Sequence, residues 1–265
     1  MNGVCVSLNE KKFIRQGVAE GKRIDGRSRY EHRPVKLEFI AAADGANAVD
    51  LQLGTTRVVA TVSSTEAVPD VSRPTEGFYS FDTQIAPLAS EEALVTVNSK
   101  SRSRTVETAR MLEKSLRNSK AIDTEALCVL AHEKVLSVRT DVRLLDDGGN
   151  FTGAASIAAI AALKRFRKPA SASLDSSPLP LHHLPIAISF ALFEGGHAIV
   201  DPTWKEEQAM EGSLVITMNK HGEICALQKS GGLPLDCTQV VQCAEIASAK
   251  VAEITEYLLS VMPDV

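Results

Sequence analysis

The chain has 265 residues, of which 44% are apolar and 23% charged. That balance suits one large or two small folded domains and excludes a collagen-like or largely disordered polymer. Its 29 Lys and Arg against 33 Asp and Glu leave a net charge of −4, so any nucleic-acid contact must come from a local basic patch or from partners.

The start, MNGVCVSLNEKKFIRQ, has no long apolar core behind a basic start and does not read as a secretory signal. An amphipathic helix is expected there, with Leu8, Phe13, Ile14 and Val18 as its apolar stripe. The basic turn KRIDGRSRYEHRP follows. Strand patterns cover 35–40, 48–53 and 57–64, with Gly54 to Thr56 as a hairpin turn between the last two. The span 104–119 reads as a helix with Val106, Ala109, Leu112 and Leu116 on its apolar side. The span 125–145 reads as two strands, with His132-Glu133 in cross-strand packing, and 152–166 as a buried helix.

The Pro- and Ser-rich stretch 168–185 reads as a linker that also carries His182 and His183. Four more strands are expected at 186–193, 198–200, 214–218 and 223–228, and then a long helix over 236–262. Asp236 and Gln239 supply the cap at its start. Strands followed by a helix occur twice, so the fold class is α+β in two similar halves, 1–167 and 186–265, around the linker.

Many chemistries have no sequence support. No apolar run reaches the ~18 residues of a membrane helix. Dinucleotide, P-loop, nucleophile-elbow and zinc-protease motifs are absent. The five cysteines (Cys5, Cys128, Cys225, Cys237, Cys243) form no CxxC pair and read as reduced core thiols. No metal site and no cofactor are expected.

Three segments remain as candidates. Arg102, Arg104, Arg110, Lys114, Arg117 and Lys120 form a basic cluster, and positions 110, 114 and 117 share one helix face. Arginine's planar fork suits phosphate; the competing reading is a solvated face with Glu113–Arg117 pairing. The glycine turn DDGGNFTGAAS precedes a helix whose first N–H groups can hold an anion. Phe151 and Thr152 stand there without a neighbouring cation in the sequence, and Asp146 and Asp147 would repel phosphate. DPTWKEEQAMEGS crowds Asp201, Glu206, Glu207 and Glu211 into one stretch, suited to a metal or proton transfer, or to a helical turn facing water.

The segments GKRIDGRSRYEHRPVKLEF, GTTRVVATV, SLRNSKAIDTEALCV, DGGNFTGAASIAAIAAL, IVDPTWKEEQAMEG, MNKHGEICALQKSGG and CAEIASAKVAEITEYL occur in one order. In that order the chain resembles the RNase PH family and, within it, the RNase PH-like ring subunits of the eukaryotic RNA exosome. The resemblance implies two β-and-α halves about a pseudo-two-fold, and six such subunits around a channel. Its implied partners are other RNase PH-like ring subunits, cap subunits with RNA-binding domains, a hydrolytic nuclease subunit and single-stranded RNA, with no membrane.

Phosphorolytic relatives hold phosphate with a Ser/Thr–Arg pair at the start of the helix after the glycine turn. Those places match Phe151 and Thr152 here, and a carboxylate pair matches Glu207 and Ser213. The resemblance therefore implies a non-catalytic subunit with degenerate phosphate and carboxylate sites. It also implies RNA contact through Arg104, Arg110, Lys114, Arg117 and Lys120, and residence in nucleus, nucleolus and cytoplasm. Two alternatives are an active phosphorolytic 3'-exoribonuclease and a protein-only scaffold.

Overall fold

Two sheets form from alternating apolar and polar residues, and one alanine-rich helix fills the space between them. The computed structural model describes residues 6–41, 47–89, 99–168 and 177–262. Strands β1 (Val35–Ala41), β2 (Asn47–Leu53) and β3 (Thr56–Ala67) run as an antiparallel meander. Next to β3 lies β6 (Lys134–Asp146), which β5 (Cys128–Leu130) joins as a hairpin; β4 (Phe78–Ile85) closes the order parallel to β6. The second sheet has the order β10 (Ile224–Gly231), β9 (Gly212–Met218), β7 (Ile186–Phe193), β8 (His197–Val200), all antiparallel.

Val58, Ala60 and Val62 on β3, with Val138, Val142 and Leu144 on β6, turn the inner face of the first sheet toward the core. There they meet α3 (Phe151–Arg165), in which Phe151 and every residue from Gly153 to Leu163 is buried. It packs on β2, β3 and β6 on one side and β7 on the other. Its small alanines let both sheets approach, and larger side chains would overpack the seam. Buried residues of both halves form one continuous core. On the same face of the second sheet as α3, α5 (Cys237–Val261) buries Cys243, Ala247, Val251, Ile254 and Leu258 at helical spacing in that core, and Asp236 and Gln239 form its capping box.

Two helices position the candidate site. The first, α1 (Leu8–Ala19), buries Ile14 and Val18 in a small second core with Ala191, Phe193, Ile199 and Ala209. The second, α2 (Ser99–Ser119), crosses both sheets. Thr83 Oγ1 on β4 donates to Thr105 O at 2.6 Å, and Asn118 Nδ2 donates to Cys225 O on β10 at 3.0 Å.

The structure corrects several expectations. Leu8 and Phe13 are 78% and 71% exposed and take no part in the α1 stripe, because only Ile14 and Val18, four residues apart, face the second core. Val106 is exposed and shares the face of Arg110, while Thr108, Met111, Leu112, Ser115 and Leu116 supply the buried side of α2. His132-Glu133 lies in the turn between β5 and β6, not in a strand; His132 has φ +68°, and its N–H donates to Pro74 O at 3.1 Å. The edge strand β4 has no clear period in the sequence, since only Thr83 of its eight residues is buried. Much of the stretch 168–185 lies outside the described residues; near its ends Pro178 bridges to Arg167 and Leu181 to Ile122. Among the described residues no helix is long and apolar enough to cross a membrane.

Candidate functional site

The glycine turn is built around a close backbone approach. Gly149 has φ +95°, and a side chain there would run into the backbone of Pro202, Thr203 and Trp204. Without that side chain, Trp204 N donates to Gly148 O at 2.9 Å. The short helix α4 (Trp204–Ala209) is thereby held against the N-terminus of α3. Asn150 caps α3 in the left-handed region at φ +55°, and its side chain accepts from Gly153 N.

This approach carries Glu207 onto the helix end. Glu207 Oε1 accepts from Asn150 N at 2.6 Å, and Glu207 Oε2 from Arg104 Nη2 at 3.2 Å. Arg104 Nη1 also donates to Asp147 Oδ2 at 2.7 Å, and its guanidinium carbon lies 5.9 Å from the Phe151 ring centroid. A cation therefore does stand beside the glycine turn, contrary to what the local sequence suggests, because α2 supplies it from 43 residues away. Phe151 is 1% exposed and belongs to the core, and Thr152 Oγ1 lies 3.1 Å from Thr108 Oγ1. Burial pushes the Glu207 carboxyl above its ordinary range, against the pull of Arg104 and the Asn150 N–H. Ser213 sits on β9, opposite Ala191 and Ser230, outside this network.

Two more carboxylates of the acidic segment, Glu206 and Asp201, do not face water, because the basic turn after α1 covers them, while Glu211 is half-buried and pairs with Arg15 of α1 at 3.1 Å. Glu206 is 1% exposed and accepts from Arg23 Nε at 2.9 Å and Nη2 at 2.6 Å. Asp201 is fully buried between Arg33, Arg27 and Asn150. Arg33 reaches further, to Gly148 O, Gly149 O and Thr56 Oγ1, so one side chain ties the glycine turn to both halves. Asp201 is the residue before Pro202 and has φ +51°. Burial alone would raise its carboxyl, but the hydrogen bond from Arg33, the charges of His32 and Arg33 and the Asn150 amide hold it well below the usual carboxylate range.

The basic positions of α2 divide. Arg110, Lys114 and Arg117 are exposed along one stripe, and Arg117 pairs with Glu113. Arg110 and Lys114 have no ion-pair partner among the described residues. Arg104 lies about 120° around the helix from Arg110 and points into the glycine-turn site instead. Lys120 follows the helix end at φ +49° and is exposed, and Arg102 is exposed near the other end.

Two stretches match known families: residues 31–169 match the 3' exoribonuclease family, domain 1, and residues 183–250 match the same family, domain 2. The chain belongs to the RNase PH family of 3' exoribonucleases. It is 44% identical to the exosome complex component RRP45 of Danio rerio over 97% of this chain and 67% of that protein. With the human protein of the same name it shares 42% identity, over 99% of this chain and 61% of that protein. The chain thus spans about two thirds or less of the length of these relatives. A solved structure described as the Archaeoglobus fulgidus exosome with RNA bound to the active site matches with a TM-score of 0.86 and 28% identity, over 94% of this chain and 97% of that one.

The turn at 147–150 and the start of α3 hold a buried phenylalanine and a carboxylate bonded to the helix end. Sequence reasoning missed Arg23, Arg27, Arg33 and Thr56 as site-building residues. The signal was present: arginines interleaved with Asp25 and Glu31 in a short turn, and an isolated acidic run elsewhere in the chain.

Proposed function

We propose that this chain is a ring subunit of an RNA exosome core that helps assemble the ring and contacts RNA in its channel without cleaving it. The observation that carries the inactive part is the seat at the start of α3. Its cation, Arg104, is bonded to Asp147 and Glu207, and its Asn150 N–H is taken by Glu207. Phosphorolysis needs a phosphate held in line with the scissile bond and its charge neutralised in the transition state. A carboxylate at that seat opposes both. With Ser213 in the second carboxylate place, general acid help is also halved. Losing such contacts removes several kcal/mol of transition-state stabilisation, each ~1.4 kcal/mol being a factor of ten in rate.

Its similarity to exosome components RRP45 and to an archaeal exosome supports the ring assignment. Other RNase PH-like ring subunits, RNA-binding cap subunits and a hydrolytic nuclease are the partners this reading calls for, in nucleus and cytoplasm. The exposed edge strands β4 and β10 offer surfaces for ring neighbours. Phe78 on β4, and Ile224 and Leu227 on β10, are exposed there.

The test co-expresses the chain with candidate RNase PH-like neighbours and purifies the product by a tag on this chain. A soluble stoichiometric complex is expected, whereas the chain alone aggregates or self-associates. That complex, given end-labelled RNA, phosphate and Mg²⁺, should release no nucleoside diphosphate that depends on Glu207. Phosphate-dependent release abolished by Glu207→Ala would identify the chain as an active phosphorolytic enzyme and end the inactive reading. A monodisperse monomer indifferent to every neighbour would end the ring reading.

A further inference from the structure

We propose that the C-terminal end of α2 carries a second RNA contact, a platform on which the rings of His183 and His221 stack against bases while Lys120 and Lys220 hold the flanking phosphates. The inference rests on the reading that the assembled ring contacts RNA, and it extends that contact past the exposed stripe of Arg110 and Lys114.

Three segments meet there, each fixed by its own hydrogen bonds. On the last turn of α2, Asn118 Nδ2 donates to Cys225 O on β10 at 3.0 Å, and the chain leaves the helix at Lys120 with φ +49°. Residues 181–183 run antiparallel beside it: Leu181 bridges to Ile122, and His182 N donates to Ala121 O at 2.9 Å. That pairing carries His183 alongside Lys120. The third segment is the turn between β9 and β10, which Asn219, 2% exposed, ties down. Its Oδ1 accepts from His221 N and Glu223 N, both at 3.0 Å, and its Nδ2 donates to Glu223 Oε2 at 2.7 Å. The turn so held brings the His221 ring edge to face with His183, the centroids 6.1 Å apart and the planes at 88°.

The chemistry of this surface is that of a single-strand binder. Such proteins combine cations that follow the phosphate backbone with aromatic faces on which bases stack, and histidine serves in the second role. An edge-to-face pair leaves at least one face of each ring clear of the other. His183 Nδ1 is buried with no hydrogen-bond partner among the described residues, so packing orients that imidazole. Lys120, Lys220 and His221 are exposed and His183 is half-buried. Neither lysine has an ion-pair partner among the described residues. Arg110, Lys114 and Arg117 lead along α2 toward Lys120 over about 15 Å, so a strand lying on the stripe reaches the rings within a few nucleotides.

The test uses the co-expressed complex in buffer at pH 8, with labelled oligoadenosine and oligouridine of equal length as probes and fluorescence anisotropy as the readout. His221→Ala should weaken oligoadenosine binding about tenfold and oligouridine binding less, since a purine offers the larger stacking face. Its log–log salt slope should match wild type, because no phosphate contact is lost. His221→Phe keeps an aromatic face at an exposed position and should bind as wild type does. Lys120→Gln combined with Lys220→Gln should weaken both probes alike and lower the slope by ~1.4, at ~0.7 per phosphate contact.

Folded His221→Ala complexes that bind both probes as wild type does would overturn the proposal. So would a loss in His221→Ala that His221→Phe shares, which would rule out stacking. Failure of His221→Phe to assemble would overturn it too, by showing the surface to be a subunit contact. The broader reading fails separately. A ring that binds neither probe ends the RNA-contact reading itself, whereas binding that needs Arg110 and Lys114 but not the platform overturns this inference alone.

Discussion

Asp201→Ala should cost the complex roughly 3–5 kcal/mol of stability, the loss expected when one partner of a buried ion cluster is removed. The Asp201 carboxylate accepts five hydrogen bonds. Arg33 supplies three of them, from its backbone N at 2.9 Å, Nε at 2.8 Å and Nη2 at 2.8 Å. Arg27 Nη1 at 3.0 Å and Asn150 Nδ2 at 2.6 Å complete the set. Alanine would leave the Arg33 guanidinium 7% exposed with no charge to answer it. It would also place a non-glycine residue without a short polar side chain at φ +51°. Asp201→Asn keeps the shape but removes the charge and turns an amide N–H donor toward side chains that are themselves donors, and should cost nearly as much. Net stabilities of folded domains are ~5–15 kcal/mol, so either variant endangers folding. Urea midpoints of the wild-type and Asp201→Asn complexes are the measurement. A change below about 1 kcal/mol would mean that desolvation of the cluster cancels its attraction.

The pH dependence has a definite sign. The Asp201 carboxyl lies below its ordinary value of 3.8 in the folded chain. The stability it contributes is therefore fully present above that ordinary value and is lost as pH falls toward the folded value. The gap between wild type and Asp201→Asn should stay constant from about pH 5 to 8 and shrink below about pH 4. Glu207 works in the opposite sense. Its carboxyl is raised by burial, so ionising it weakens the fold as pH climbs through and above its ordinary 4.5.

The sheets were legible where burial is one-sided or complete. β3 alternates Val58, Ala60 and Val62 with outward residues, and β7 is an unbroken buried run, so both patterns survive in the sequence. α3 was legible from its composition, since only a helix between two layers tolerates an unbroken run of buried small and branched residues from Gly153 to Leu163. β4 was not, because an edge strand covered by α2 on one side has one buried residue and no period. The faces of α2 were half legible: Leu112 and Leu116 mark the core side, but Val106 is an apolar residue on the wet side.

The site was legible as a list of residues but not as a geometry. Phe151, Glu207 and the α2 arginines could be singled out from spacing and resemblance. That Arg104 leaves the basic stripe for the glycine turn depends on a contact across 103 residues, to Glu207. That Arg23 and Arg33 are internal rather than solvated depends on contacts across 183 and 168 residues. Opposite charges in two distant segments carry no local signature of pairing, so a basic turn and an acidic run read separately as surface.

Replacing Arg110 and Lys114 together by Glu should weaken RNA binding of the assembled ring for every sequence tried. Both side chains are exposed on the outer stripe of α2 and have no ion-pair partner among the described residues. Their full charge is therefore available to phosphates. Arg117 shares the stripe but is paired with Glu113, so Arg117→Glu alone should do less. Arg104→Gln should leave RNA binding close to wild type, because its charge is spent on Asp147 and Glu207. Contacts to phosphate release counterions, so each one lost should lower the log–log salt slope for single-stranded RNA by ~0.7, or ~1.4 for the pair. Lysine or glutamine at position 110 would test less, since lysine keeps the Coulomb attraction and glutamine only removes it. Assembly should survive the double reversal, because Thr108, Met111, Leu112, Ser115 and Leu116 hold α2 to the core from the other face. Fluorescence anisotropy at several salt concentrations, on rings verified by size and subunit stoichiometry, measures both affinity and slope. An intact ring with unchanged affinity and unchanged slope would show that the stripe is a solvated surface, and would leave the chain a protein-only scaffold at this helix.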